Sequence, residues 1–268
     1  MILYPHCKIN LGLYVRSKRS DGYHNIHSLF YPVQLCDALE VIDADESKIP
    51  ELQFSGFPVP GTVEQNLVYK AWRIMHERHG VPPLKIFLHK AIPMGAGLGG
   101  GSSDGAFMLR LLDEKFDLNL SQTTLMDYAA KLGSDCPFFV QDRPMLVSGR
   151  GEVMEKVDFS LAGDYIKIIH PAIHVSTAEA YSMISPDDNV PDLLQVLSDK
   201  TQWRTGLRND FEKPMANKYP LIDQLISQLY ADGAYYAAMS GSGSAVFGLY
   251  QEKPSPENEL FCHVSQLI

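Results

Sequence analysis

The sequence is short of basic charge, of cysteine and of long apolar runs. Its 268 residues carry 23 Lys and Arg against 32 Asp and Glu, a formal net charge of -9. No basic block offsets that excess, which argues against a nucleic-acid or anionic-membrane surface but leaves room for a local phosphate pocket. The four cysteines, Cys7, Cys36, Cys136 and Cys262, form no CxxC pair and no metal-like cluster, and read as reduced thiols. No apolar run approaches the roughly 18 residues of a membrane-spanning helix. The opening residues, MILYPHCKINLGLYV, lack the charged-then-apolar plan of a signal peptide. Internal repeats and low-complexity tracts are also missing. These absences predict a soluble cytoplasmic protein, with no nucleic-acid or membrane partner. Hydrophobic residues at 45% and a length of 268 permit one large domain or two of ordinary size.

What is abundant is glycine, in one place. Pro93–Ala106 reads PMGAGLGGGSSDGA. A strand-like run, Leu84–Leu88, precedes it, and Ala106–Phe116 follows with apolar residues at helical spacing. The order strand, glycine loop, helix is a physical site for phosphate. Glycines let the backbone approach a ligand, and the first turn of the helix offers N–H groups and partial positive charge. Ser102 and Ser103 add hydroxyls that can cap that helix or donate to a phosphate oxygen. A flexible linker is the bland alternative, but linkers are not usually clamped between a strand and a helix. Gly95-x-Gly97-x-x-Gly100 also matches a dinucleotide fingerprint. That fingerprint expects an acidic residue ending a strand about 20 positions on, where Leu118–Leu125 instead approaches a helix. The common nucleoside-triphosphate loop is excluded, because no Gly-Lys-Ser/Thr follows.

The rest of the chain supplies further candidates. Residues 9–15 read as a strand with Lys8 at its start, among residues whose pattern implies burial; a buried ammonium needs a carboxylate or phosphate partner. Ser20-Asp21-Gly22 is a turn, followed directly by Tyr23 and His24. Residues 28–63 read as strands and hairpins. Asn66–His79 reads as a helix with Leu67, Ala71, Ile74 and Met75 on one face; Asn66 suits its N-cap. His76 and His79 lack the pattern of a metal site and read as a solvated face. Ser121–Leu132 reads as a helix capped by Ser121, with Gly133 at C′. Asp135, before Pro137, reads as a turn residue. Pro144–Gly151 reads as a hairpin holding Arg150. Beyond about residue 157 come a strand at Tyr165–His170, a helix from Thr177, another opened by Asn209-Asp210-Phe211-Glu212, and an amphipathic helix at Pro220–Ala231. Met239–Gly248 is a second glycine-serine turn, and a short helix is expected at Glu259–Ile268.

Together these motifs resemble the GHMP kinase superfamily of small-molecule kinases. P-x-G-A-G-L-G-G-G-S-S resembles its second motif, and Met239–Gly248 its third, a glycine loop lying against the phosphate loop. Lys8-x-Asn10-Leu11-x-Leu13 with Arg19-x-Asp21-Gly22-Tyr23-His24 is similar to the first motif of the branch acting on a cytidyl diphosphate sugar alcohol in non-mevalonate isoprenoid biosynthesis. Leu132-Gly133-x-Asp135-x-Pro137-x-Phe139 resembles the family element that bears the catalytic carboxylate.

The resemblance implies an α+β fold of two domains, residues 1–156 like ribosomal protein S5 domain 2 and residues 157–268 ferredoxin-like, with the active site in the cleft between them. It implies ATP as phosphoryl donor and Mg²⁺ as its companion ion, without naming a protein ligand for the metal. Lys8 and Asp135 are carried over as a catalytic pair. Asn66, Leu67, Lys90, Pro93, Met94, Gly95, Ala96, Gly97, Leu98, Gly99, Gly100, Gly101, Ser102 and Ser103 fall on nucleotide-binding positions. Asn10, Tyr23, His24, Thr177 and Tyr181 fall on acceptor positions, with Tyr23 and His24 directed at the cytosine. Thr177 and Tyr181 read equally well as a cap and a core aromatic. Asp104 stands where some members have Asn, and Gly105 replaces a common Ala, which should weaken the helix start. A monomer or weak homodimer is expected. Another GHMP kinase, of homoserine or mevalonate type, or a non-catalytic nucleotide sensor remains as an alternative; the Asp-Gly-Tyr-His element argues against the first, and the presence of Lys8 and Asp135 against the second.

Overall fold

The structure is a computed structural model describing residues 1–44, 49–256 and 260–268. In chain order its strands are β1 (Ile2–Leu3), β2 (His6–Lys18), β3 (His24–Cys36), β4 (Ala38–Asp43), β5 (Glu51–Gly56), β6 (Leu84–Lys90), β7 (Met145–Ser148), β8 (Val153–Lys156), β9 (Tyr165–His170), β10 (Tyr236–Met239), β11 (Val246–Tyr250) and β12 (Phe261–Gln266). The helices are α1 (Leu67–His79), α2 (Gly100–Lys115), α3 (Gln122–Leu132), α4 (Cys136–Gln141), α5 (Thr177–Ser182), α6 (Leu193–Leu197), α7 (Trp203–Gly206), α8 (Glu212–Lys218) and α9 (Leu221–Ala231). No helix among the described residues is long and apolar enough to cross a membrane.

The chain divides into two units, neither continuous in sequence. The first comprises Met1–Cys7, Leu35–Met94 and Gly99–Arg143; the second comprises Lys8–Gln34, Gly95–Leu98 and Pro144–Ile268.

In the first unit a four-stranded sheet has the order β1-β4-β6-β5. Strands β5 and β6 run parallel, and the other pairs are antiparallel. Helices α1 to α4 pack around α2, whose buried face includes Ala106, Phe107, Met108, Leu109, Leu111 and Leu112. The Asn66 side chain accepts from Val68 N at 2.8 Å, so it does cap α1. The buried face of α1 is Val68, Ala71, Trp72 and Met75, turned about one residue from the expected stripe. His76 and His79 are committed to local contacts, His76 with the Val81 carbonyl and His79 with the Tyr128 hydroxyl.

Three further expectations are corrected. Helix α2 starts at Gly100, inside the glycine run, not at Ala106. Its N-cap is Gly99, with no side-chain cap, so neither Ser102 nor Ser103 caps it. Tertiary packing outweighs the low helix propensity of Gly100, Gly101 and Gly105. Gly105 is therefore a helix-interior residue, where a Cβ would meet Leu67 Cβ at 2.9 Å; its small size lets α1 and α2 approach. Gly133 ends α3 with φ 175, extended backbone rather than the left-handed turn expected of a C′ glycine.

The second unit contains two sheets, β2-β3-β7-β8 and β10-β11-β9-β12. β9, β10, β11 and β12 pair antiparallel throughout. Helix α9 buries Ile222, Leu225, Ile226 and Leu229, the expected face. The C-terminal segment is strand β12, not a helix, because its backbone pairs with β9 from Phe261↔His170 to Gln266↔Tyr165. Glu259, where the helix was expected to start, lies outside the described residues.

Candidate active site

In the second unit the two glycine loops meet. Ala245 N donates to Ala96 O at 3.1 Å, and Ser240 Oγ donates to Gly97 O at 3.0 Å. Gly97 has φ +77, and a Cβ there would lie 2.0 Å from the Ser240 carbonyl oxygen, so only glycine allows the approach. Asn209 fastens the second loop from behind. Its Nδ2 donates to Met239 O and Gly241 O, both at 2.8 Å. The Asn209-Asp210-Phe211-Glu212 element thus shapes the loop as well as opening α8, a role its local reading as a helix start did not reveal.

The same unit holds Lys8, which is 4% exposed. Its Nζ donates to Asn10 Oδ1 at 2.6 Å and lies 4.7 Å from the centre of the Phe30 ring. Asn10 passes the chain on, donating to Ser28 Oγ at 2.9 Å, which donates to Gly12 O at 2.6 Å. The ammonium is therefore held on a strand and aimed by a buried polar relay. Lys8 N donates to Leu98 O at 3.0 Å, tying this strand to the first glycine loop.

His24 stacks on Tyr181, ring centres 4.7 Å apart and 17° from parallel. Tyr181 also meets Phe211 edge-on at 4.9 Å. Burial, helped by Lys18, holds the His24 imidazole below its ordinary value, so it is neutral at pH 7, with one donor and one acceptor nitrogen. Tyr23, its neighbour, keeps 58% of its surface exposed. Thr177 is the first residue of α5, and the cap is Ser176, which accepts from Glu179 N at 3.1 Å.

In the first unit Lys90 ends β6 and is fully buried. Its ammonium bonds both Asp37 and Asp104. Asp37 Oδ1 accepts from Ala91 N at 2.7 Å and Ile92 N at 2.8 Å, the residues leading into the loop. Burial pushes the Asp104 carboxyl up to about 8, with the Asp37 charge adding to the rise against the pull of Lys90. Sequence reasoning left Asp104 without a partner; the signal was a charged residue on the apolar face of α2. The Cys136 thiol is pushed up to about 12, chiefly by burial, so it stays protonated.

Asp135 occupies the N-cap position of α4 but makes no capping hydrogen bond. Its contact is with the Ser134 hydroxyl, which donates to Oδ1 at 3.3 Å. Its carboxylate thus contributes nothing to the cap of α4.

Comparison with known proteins identifies the family of the whole chain. The family model described as GHMP kinases N terminal domain matches residues 66–143, and that described as GHMP kinases C terminal matches residues 191–261. The 4-diphosphocytidyl-2-C-methyl-D-erythritol kinase of Bacteroides fragilis is 45% identical over 97% of this chain and 94% of its own length. That of Cytophaga hutchinsonii is 43% identical over 100% of this chain and 99% of its own. The chain belongs to the 4-diphosphocytidyl-2-C-methyl-D-erythritol kinase family of GHMP kinases.

The crystal structure of a 4-(cytidine 5'-diphospho)-2C-methyl-D-erythritol kinase superposes on this GHMP kinase with a TM-score of 0.76 at 33% identity, covering 93% of this chain and 90% of that one. The Methanococcus jannaschii mevalonate kinase, at 11% identity and a TM-score of 0.70, covers 100% of this chain and 98% of its own and shares the fold alone. The two-domain α+β GHMP kinase fold expected from the motifs is thereby established.

Proposed function

We propose that this GHMP kinase transfers the γ-phosphoryl group of ATP to the 2-hydroxyl of 4-diphosphocytidyl-2-C-methyl-D-erythritol, giving the 2-phosphate and ADP. The observation that carries this reading is full-length identity of 45% to a relative of that name.

Phosphoryl transfer asks the protein mainly for positioning and charge stabilisation. Asp135 orients the acceptor hydroxyl and takes its proton. An alcohol holds that proton far more tightly than a carboxylate, so proton transfer accompanies or follows attack on phosphorus. Lys8 supplies positive charge to the reacting oxygens. The segment Pro93–Ser103 cradles the triphosphate, with Asn66 and Leu67 on the nucleotide side. Lys90 acts from beneath the loop, since both of its partners are carboxylates of the interior. Tyr23 stacks on the cytosine, and the neutral His24 pairs a donor and an acceptor with its edge. Asn10, Thr177 and Tyr181 complete the acceptor side.

Among the described residues no group of three or more His, Cys, Asp or Glu side chains could hold a metal ion. A Mg²⁺ that arrives on ATP is held mostly by phosphates and water and needs one or two protein oxygens. The chemistry it would supply there is neutralisation of phosphate charge. We further propose a cytoplasmic enzyme, monomeric or weakly dimeric, with its domain boundary near residues 156 and 157, between the two family matches.

The test is ADP release from Mg-ATP with the cytidyl substrate, homoserine and mevalonate in parallel. ADP with the cytidyl substrate alone is the expected result. Turnover of another alcohol instead overturns the acceptor assignment while keeping the kinase.

A further inference from the structure

Arg150 lies in the turn between β7 and β8, and its guanidinium carbon sits 4.9 Å from the centre of the Tyr23 ring. Tyr23 lies in the turn between β2 and β3. Because β3 pairs with β7, the two turns meet at one end of the sheet, where Ile26 N donates to Gly149 O at 2.7 Å.

Both turns are held by their own charges. On the Tyr23 side, Asp21 Oδ1 accepts from Tyr23 N at 3.1 Å, Arg19 Nε donates to the same carboxylate, and Arg19 N donates to Tyr23 O at 2.8 Å. On the Arg150 side, Glu152 accepts from the Arg150 backbone N–H, and its Oε1 lies 3.5 Å from Arg150 Nε. The slight desolvation of Asp21 and Glu152 opposes ionisation. Hydrogen bonds and the two guanidiniums outweigh it and hold both carboxyls below their ordinary range. Two cations and two anions thus offset one another, and Arg150 is not a stray surface charge.

The placement has a consequence for Tyr23. The guanidinium meets one face of the ring, yet 58% of the residue stays exposed. An aromatic ring pinned in orientation but left wet gains little for the fold. It is a stacking platform with one face already packed.

We infer that Arg150 is a positioning residue for the nucleobase of the acceptor: its guanidinium packs on one face of Tyr23 and fixes the ring so that the opposite face receives a pyrimidine. The inference rests on the acceptor proposed above and adds to it a residue from a separate hairpin. Arginine suits the role because its planar, weakly hydrated guanidinium lies flat against a ring, which a lysine ammonium does not.

The test is steady-state kinetics on wild type, Arg150→Gln, Arg150→Lys, Tyr23→Ala and the Arg150→Gln/Tyr23→Ala double variant. Arg150→Gln should raise KM for the cytidyl substrate roughly 2–5-fold, leaving kcat and KM for ATP in place. Arg150→Lys should recover part of the loss. In the Tyr23→Ala background, Arg150→Gln should cost nothing more, because the face it supports is gone. A merely structural role would lower thermal stability and disturb the ATP side as well. The inference is overturned by an equal Arg150→Gln effect in both backgrounds, or by an effect on kcat or on KM for ATP. It is equally overturned by an unchanged KM for the cytidyl substrate. Wild type that does not turn over the cytidyl substrate overturns the function proposal itself, a separate and recognisable failure.

Discussion

Lys90 Nζ donates to Asp104 Oδ2 at 2.6 Å in the interior of the first unit. Its other partner, Asp37, lies 53 residues upstream and also receives the backbone N–H groups of Ala91 and Ile92. A Cβ on Gly100 would come within 3.3 Å of the same ammonium. One buried cation therefore sits where the chain leaves β6 and where α2 begins. With two carboxyls and one ammonium out of water, a proton kept on Asp104 leaves the cluster neutral.

Lys90→Met removes the cation and leaves two carboxyls facing each other. Breaking a buried pair from one side destabilises by roughly 3–5 kcal/mol. Urea unfolding of Lys90→Met should show a loss of that size. Adding Asp104→Asn should return part of it, since Asp37 keeps its two backbone donors. A lone Lys90→Met variant as stable as wild type would refute the cluster's importance.

The Asp104 carboxyl sits at about 8 in the folded chain, raised by burial, against an ordinary value of about 4 when unfolded. Between those values the folded state binds more protons than the unfolded state. Stability then falls as pH rises from about 4 to about 8 and levels off above. Asp104→Asn carries no titrating group. The difference in unfolding free energy, wild type minus Asp104→Asn, should decline between pH 5 and pH 8. A difference that grows with pH would mean that Asp104 is ionised and paired with Lys90.

Gly105 and Gly101 share one helix but should respond oppositely to alanine. A Cβ at Gly105 meets Leu67 Cβ at 2.9 Å and Leu132 Cδ1 at 3.3 Å, both on neighbouring helices. Overpacking of that kind destabilises by about 1–3 kcal/mol, more than the helix-propensity gain of up to about 1 kcal/mol. At Gly101 the nearest atom is Met94 Cε at 3.9 Å, so the propensity gain stands alone. Gly105→Ala should lower the melting temperature and Gly101→Ala should hold or raise it. The reverse order would show that the α1–α2 approach is not tight at Gly105.

Much of this was legible in the sequence. Strand, glycine loop and helix appeared in order around Gly95–Ser103, and Asn66 and Ser121 fell on real caps. Lys8 was read as buried, and it is. What escaped was non-local. The Asp37 partner of Lys90 lies too far upstream for spacing to signal it. β12 depends on pairing with β9 across about ninety residues, while its own pattern suits a helix equally well. The start of α2 escaped because local propensity disfavours glycine there and packing overrides it. The Arg150–Tyr23 contact joins two hairpins, and neither turn alone announces the other.

Asp135→Asn gives the sharpest test of chemistry. The carboxylate does not cap α4, and its contact is a long hydrogen bond from Ser134. Replacing one oxygen by an amide should therefore change stability by no more than about 0.5 kcal/mol. It removes the proposed proton acceptor, which should lower kcat roughly 10²–10⁴-fold while KM for ATP holds. Lys8 cannot be tested so cleanly, because its loss would leave Asn10 Oδ1 in the interior without its donor. If Asp135→Asn melts with wild type and still turns over at near-native rate, the proton acceptor lies elsewhere. A variant that melts with wild type and has lost turnover, with ATP affinity intact, assigns the loss to the transfer step.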